Sequence, residues 1–341
     1  MFRRSIICSA VFALTASTAL AQTVDSLQRS AKDYADTDWA GTFTRLCIPT
    51  GGPLVVPTLN PANYPTAELP TPPGGDPPAA NWYAPPAKIG DNLYFLGERA
   101  HHAFALVSKD REIILFEALF DYAAGPEILD GLRAVGLNPK KVRYVLISHE
   151  HGDHDGGAPL LQQALPGATI VYGAAAWPSV LARTSPHATR SGPENDGTDG
   201  RVITVGDVSV KIITMPGHTP GTISFLFEYK DNDGKPVKVA YVGGTAISFN
   251  ANAAYYDAYL ASSRKFAKAA AEYGATVLMS NHTEFDNGYF RAQTAEAIAG
   301  RWEKNPDVPN PYFVGQRAVV NYFGVVELCT MAAKLRATGS L

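Results

Sequence analysis

The chain has 341 residues, 46% of them hydrophobic and 18% charged, with a formal net charge of −3. That much apolar material supplies a large core and argues against intrinsic disorder. No lysine or arginine cluster stands out, so nucleic acid is not an expected partner.

In chain order, residues 1–21 read as an export signal. Arg3-Arg4 precede an apolar stretch over 6–14, and Ala19-Leu20-Ala21 forms a small-residue cleavage site before Gln22. The apolar stretch is too short to span a bilayer, and Cys8 lacks the small-residue context of a lipid-anchor site. A product without a membrane anchor, periplasmic or secreted, is therefore expected. Signal removal leaves Cys47 and Cys329 in a compartment that permits disulfides. Spacing leaves open whether they are bridged or separately buried.

Residues 22–87 are assigned to a proline-rich N-terminal arm. Twelve of the 25 prolines fall between Pro49 and Pro86, a density that excludes regular helix and most strand pairing. Tyr64, Trp82 and Tyr83 suggest that the arm lies against the body or a partner subunit.

Residues 88–341 form the expected enzyme domain. Strand patterns run over 92–96, 104–107 and 112–116, followed by a helical stretch near 127–135 and an apolar run at 142–147. A similar series follows at 201–205, 208–214, 222–229 and 237–242, then a long helix over about 253–273. A short buried strand at 275–280 and a last helix at about 318–335 complete the domain. Pattern alone thus gives an α/β protein of two sheet-plus-helix halves.

Directly after the apolar run stands His149-Glu150-His151-Gly152-Asp153-His154. Alternation along an extended segment aims His149, His151 and Asp153 to one side, and a turn at Gly152-Asp153 brings His154 round. Neutral imidazoles and a carboxylate at this density suit zinc. Two further strand ends add one histidine each: Met215-Pro216-Gly217-His218-Thr219-Pro220-Gly221 is a Pro/Gly turn that presents His218, and Asn281-His282-Thr283 follows the strand at 275–280.

These motifs resemble those of the metallo-β-lactamase superfamily, over about residues 92–301. The resemblance implies a four-layer αβ/βα sandwich, two mixed sheets with outer helices. It implies two zinc ions, one on His149, His151 and His218, the other on Asp153, His154 and His282, with a hydroxide between them. Asp153 would also orient the attacking group, and no serine or cysteine nucleophile is needed. Many superfamily hydrolases carry an Asp that bridges the two metals, where this chain has Gly244. The third subclass of class B β-lactamases manages without that Asp, shares this ligand set, and has a hydroxyl residue beside it, a place that Thr245 fills.

Departures are also visible. Glu117 stands where the family usually has an Asp that supports a metal-bound histidine, so Glu117 is expected to take that supporting role. Thr283 replaces a proline common after the last histidine. Thr245 is expected to touch a substrate carboxylate. Of the adjacent pair His101 and His102, one is expected near the mouth of the site, with His102 taken as the substrate contact. His187 reads as a loop residue, and Tyr255, Tyr256 and Tyr259 as packing.

The expectation is an exported dinuclear zinc hydrolase acting on a small molecule through an amide or ester carbonyl, a β-lactam first. A lactone or other small ester is the nearest rival. An iron-dependent sulfur dioxygenase of the same frame and a non-catalytic metal-binding scaffold are alternatives from other classes. Natural substrate and oligomeric state are not written in the sequence.

Overall fold

The computed structural model describes residues 22–49, 76–302 and 310–341. The export-signal segment and the proline-rich residues 50–75, Tyr64 among them, lie outside these. Two mixed sheets face each other. The first runs in chain order, β1 (Ala87–Gly90), β2 (Leu93–Phe95), β3 (Phe104–Val107), β4 (Ile113–Phe116), β5 (Val142–Leu146), β6 (Thr169–Gly173) and β7 (Asp196–Gly197). The second holds β8 (Val202–Val205), β9 (Val208–Thr214), β10 (Ile223–Lys230), β11 (Pro236–Val242) and β12 (Val277–Ser280), in the order β12-β11-β10-β9-β8.

Side-chain pattern explains which strands sit where. In β9, Val208, Val210 and Ile212 are buried while Ser209 and Lys211 are exposed, the two-residue alternation of a strand with one wet face. In β4 and β12 every residue is buried, as befits strands covered on both faces. Between the sheets Phe116 stacks on Phe227 at 4.8 Å and on Tyr241 at 5.7 Å. Each fully buried aromatic side chain there contributes about 1.5–3 kcal/mol from apolar burial.

The outer faces are covered by helices, which completes the four layers. Helical turns over 121–134 and Ala158–Ala164 lie on the first sheet, where Ile128, Leu132 and Leu161 join its core. The second sheet is covered by α4 (Ala253–Tyr273) and α7 (Gly315–Thr338), with α1 (Val24–Ala35) and α2 (Ala40–Cys47) packed on α7 and α3 (Gly152–Asp155), α5 (Thr283–Asp286) and α6 (Gly288–Trp302) placed near the site and the sheet edge. The long helix α4 starts at Asn252, whose side chain accepts from Tyr255 N at 3.0 Å, and stops at Gly274 in the left-handed conformation, φ 76°. Helix α7 has the length and hydropathy of a membrane span, yet 61% of its most apolar window is buried inside the molecule, so that apolar surface is used in packing.

Two features go beyond the pattern reading. Residues 22–49, counted with the proline-rich arm, form helices α1 and α2. A Thr23/Ser26 capping box starts α1, and Leu27, Ala31 and Ala35 are buried at helical spacing. Cys47, the last residue of α2, is disulfide-bonded to Cys329 on α7, which settles the alternative left open by spacing.

Candidate metal centre

Every expected ligand stands just past the end of a strand or on the turn between two. His149 follows β5, and its Nδ1 donates to Gly243 O at 2.8 Å, just past β11. His151 caps α3, so Asp153 and His154 are presented by a single helical turn rather than by the extended segment that alternation suggested. His218 sits on the turn between β9 and β10, and its Nδ1 donates to Ala246 O at 2.8 Å. His282 follows β12 and caps α5.

The two carbonyl contacts have a consequence. A carbonyl only accepts, so the ring proton of His149 and of His218 is on Nδ1, and each Nε2 carries a lone pair. These two lone pairs face each other at 3.1 Å. His218 Nε2 is also 3.1 Å from His151 Nδ1, and His154 Nε2 is 3.0 Å from His282 Nε2. The facing lone pairs of His149 and His218 repel at this distance unless a cation lies between them, and the other imidazoles converge beside them, so the donor set fits divalent metal ions with a preference for nitrogen.

Two donor groups result. The ligand atoms of His149, His151 and His218 lie within 4.8 Å of one another. Asp153 Oδ2 is 3.2 Å from His154 Nε2 and 3.3 Å from His282 Nε2. Burial, then the neighbouring imidazoles, hold His149 well below the usual histidine range. Burial likewise lowers His154 to about 3 and His218 to about 4. All three are neutral at physiological pH, the form that binds metal. Burial opposes ionisation of Asp153, but the imidazoles of His154 and His282 outweigh it and hold its carboxyl far below the usual carboxylate range.

Gly244 stands beside the centre. A Cβ there would lie 2.9 Å from both His218 Cβ and Thr222 Cγ2, so a side chain at this position does not fit without movement. The turn carrying His218 thus closes off the place of a bridging carboxylate.

Three sequence expectations need correction. His102 is fully buried, with Nδ1 on Ser280 O at 2.9 Å and Nε2 on Thr283 Oγ1 at 2.6 Å, so it offers nothing to a substrate. Thr245 is also buried, its hydroxyl 2.7 Å from Tyr322 Oη, and does not line the cleft. Glu117 lies near His154 but 3.7 Å from its Nδ1, too far for a hydrogen bond. Its carboxyl accepts instead from Ser148 N at 3.1 Å and Tyr241 Oη at 2.8 Å, and burial raises its pKa to about 8. Glu117 thus ties β11 to the segment that carries His149.

The sequence reading also missed supports. Asn281, buried beside His282, donates to Gly243 O at 2.8 Å and Ser148 Oγ at 3.1 Å, joining the two sheets under the site. Asp155, next to His154 and fully buried, accepts from Arg183 Nη1 at 2.6 Å and lies 3.0 Å from His187 Nδ1. His187 is therefore more than a loop residue. The tyrosines of α4 are packing as expected, Tyr256 and Tyr259 being buried.

Residues 96–231 match the metallo-beta-lactamase superfamily. A hydroxyacylglutathione hydrolase of Rhodopseudomonas palustris (strain BisA53) is 26% identical over 231 residues, 63% of this chain and 81% of that protein. The mitochondrial persulfide dioxygenase ETHE1 of Homo sapiens is 29% identical over 135 residues, 39% of this chain and 42% of that protein. Among solved structures, BJP-1, a subclass B3 metallo-beta-lactamase of Bradyrhizobium japonicum, superposes with a TM-score of 0.56 at 22% identity, over 70% of this chain and 89% of that one. The fold and the paired donor groups are those of a metal-dependent α/β sandwich. Residues 96–231 carry a metallo-beta-lactamase superfamily domain, and subclass B3 enzymes are among the structural neighbours.

Proposed function

We propose that this chain is an exported dinuclear zinc hydrolase that opens an amide or ester carbonyl of a small molecule, with a β-lactam ring as the first substrate to test. The observation that supports it most is the two sets of facing imidazoles, His149/His218 and His154/His282, at 3.1 and 3.0 Å. Zinc ions held there, one by His149, His151 and His218 and the other by Asp153, His154 and His282, supply water with a pKa of about 7 and polarise a carbonyl oxygen.

The protein's own groups do the rest. His151 is exposed and His218, Asp153 and His282 half-buried, so substrate reaches the centre from the His151 side. Asp153 stays ionised and can accept a hydrogen bond from the attacking water, fixing its direction. Neutral, carbonyl-bound His149 and His218 cannot rotate away without losing a buried hydrogen bond, which keeps the donors organised before substrate arrives.

The choice of a lactam rests on the lack of room for a side chain at Gly244 together with the intact histidine set. A lactone, a small ester or a hydroxyacylglutathione is the nearest rival, the last because of the hydrolase relative. Export is supported by the charged and apolar pattern of residues 1–21 and by the Cys47–Cys329 bond, which belongs to an oxidising compartment.

The test is a panel of nitrocefin, a carbapenem, acyl-homoserine lactones, p-nitrophenyl esters and a hydroxyacylglutathione, with and without a chelator. Chelator-sensitive nitrocefin turnover is the expected result, and its absence removes the lactamase reading. A second reading has its own observation: His149, Asp153 and His154 converge within 4.8 Å, a two-histidine, one-carboxylate set that also suits non-haem iron. One iron per chain with oxygen uptake would favour a dioxygenase.

A further inference from the structure

Beside the second donor group stands a residue with no role in the arrangement above. His101 follows β2, and its backbone pairs with His282 in an isolated antiparallel bridge. This bridge brings the ligand atoms of His101, Asp153 and His282 within 4.8 Å of one another. We propose that His101 is a fourth protein donor to the ion held by Asp153, His154 and His282. The inference rests on the metal-centre reading above.

Distance and orientation carry it. His101 Nε2 is 3.8 Å from Asp153 Oδ2. That is too long for a hydrogen bond and suits two donors on one cation, each at about 2.0–2.2 Å from it. The other ring nitrogen, Nδ1, is 3.3 Å from Glu98 Oε2, and Glu98 is 1% exposed. A buried carboxylate behind one imidazole nitrogen, with the other nitrogen aimed at the donor group, is the arrangement that fixes a metal-bound histidine. Phe120 packs edge-on against the same ring at 5.0 Å, which limits its rotation. The second oxygen of Glu98 is buried without a hydrogen-bond partner among the described residues, so its contact with His101 is the one that occupies this carboxyl there.

The two halves of the centre then differ. His149, His151 and His218 would leave a fourth position open, whereas His101, Asp153, His154 and His282 would supply four donors, the number a closed site uses. Closed sets hold metal structurally, and open sets admit water or substrate. The closed ion is the tightly bound one, and substrate chemistry centres on the His149 side.

Cobalt(II) titration of the full-length, chelator-stripped protein tests this, read by visible absorption and by competition with a chelator of known affinity. The parent takes up two ions. In His101→Ala, one of the two binds on the order of 100-fold more weakly and its absorption bands change, while the other is unaffected. In Glu98→Gln that same ion loosens about tenfold, which decides the matter should His101→Ala fail to fold. Two cobalt ions bound by both variants with the parent's affinity and spectrum would overturn the proposal, even if turnover fell, because His101 would then serve the substrate. A parent that binds no cobalt would overturn the metal centre itself.

Discussion

Arg183 Nη1 lies 2.6 Å from Oδ2 of Asp155, a carboxylate with no exposed surface directly after the donor His154. The guanidinium also reaches the carbonyl of Glu150, so one side chain ties both ends of the segment that carries His151, Asp153 and His154. Removing it leaves a buried charge supported, among the described residues, by His187 and Tyr172. Arg183→Ala is expected to cost about 3 kcal/mol of stability and to weaken metal binding 10–100-fold. Chemical denaturation and metal titration check the two effects. An unchanged metal affinity would mean that the segment holds its shape without this tether.

Metal removal should be visible without any substrate. A ligand present at a thousandfold over its dissociation constant stabilises the folded state by about 4 kcal/mol. Dialysis against a strong chelator should therefore lower Tm by at least about 5 °C, and zinc should restore it. An unchanged Tm would speak against ions held by buried donors such as His149 and His154.

The Cys47–Cys329 bond closes a loop with a sequence separation of 282 and ties α2 to α7. Its loss frees the N-terminal helices to fray from the body. Cys47→Ser, or mild reduction, is expected to lower stability by about 2–5 kcal/mol. Thermal unfolding with and without reductant measures this, and equal Tm values would show that packing alone holds α1 and α2.

Glu127 gives a pH dependence away from the metal centre. It is 1% exposed, accepts from Ala84 N at 2.9 Å through one oxygen, and among the described residues leaves the other without a partner. Burial, with a smaller contribution from the charge of Glu98, pushes its pKa well above the ordinary range. The folded state thus binds this proton more tightly than the unfolded chain, so its stabilisation is complete below about pH 4.3 and is lost as pH rises through the folded pKa. Glu127→Gln cannot ionise, so its Tm should fall less than the parent's between pH 6 and 9. Parallel curves would contradict this.

Much of the fold was legible because its signals are local. The alternation in Val208-Ser209-Val210-Lys211-Ile212 and the capped, periodic helix α4 require no knowledge of partners. That the six candidate donors converge was legible because strand ends deliver side chains and because few other reasons put three histidines in six residues. What failed depended on contacts distant in sequence. Adjacent residues in an extended segment point to opposite sides, so which of His101 and His102 faces the site is decided by the bridge to His282, 181 positions downstream of the first and invisible locally. Thr245 looked available until Tyr322, on the last helix, took its hydroxyl. Helices α1 and α2 are a different case, since Thr23-Val24-Asp25-Ser26 is a readable start, overshadowed by the prolines that follow.

The most direct test of the central claim is metal stoichiometry, by elemental analysis of the purified full chain and of His218→Ala after equilibrium dialysis against zinc. Two ions per chain in the parent and one in the variant is the result predicted by two donor groups that share no histidine. One ion or none in the parent, or two in the variant, would contradict it.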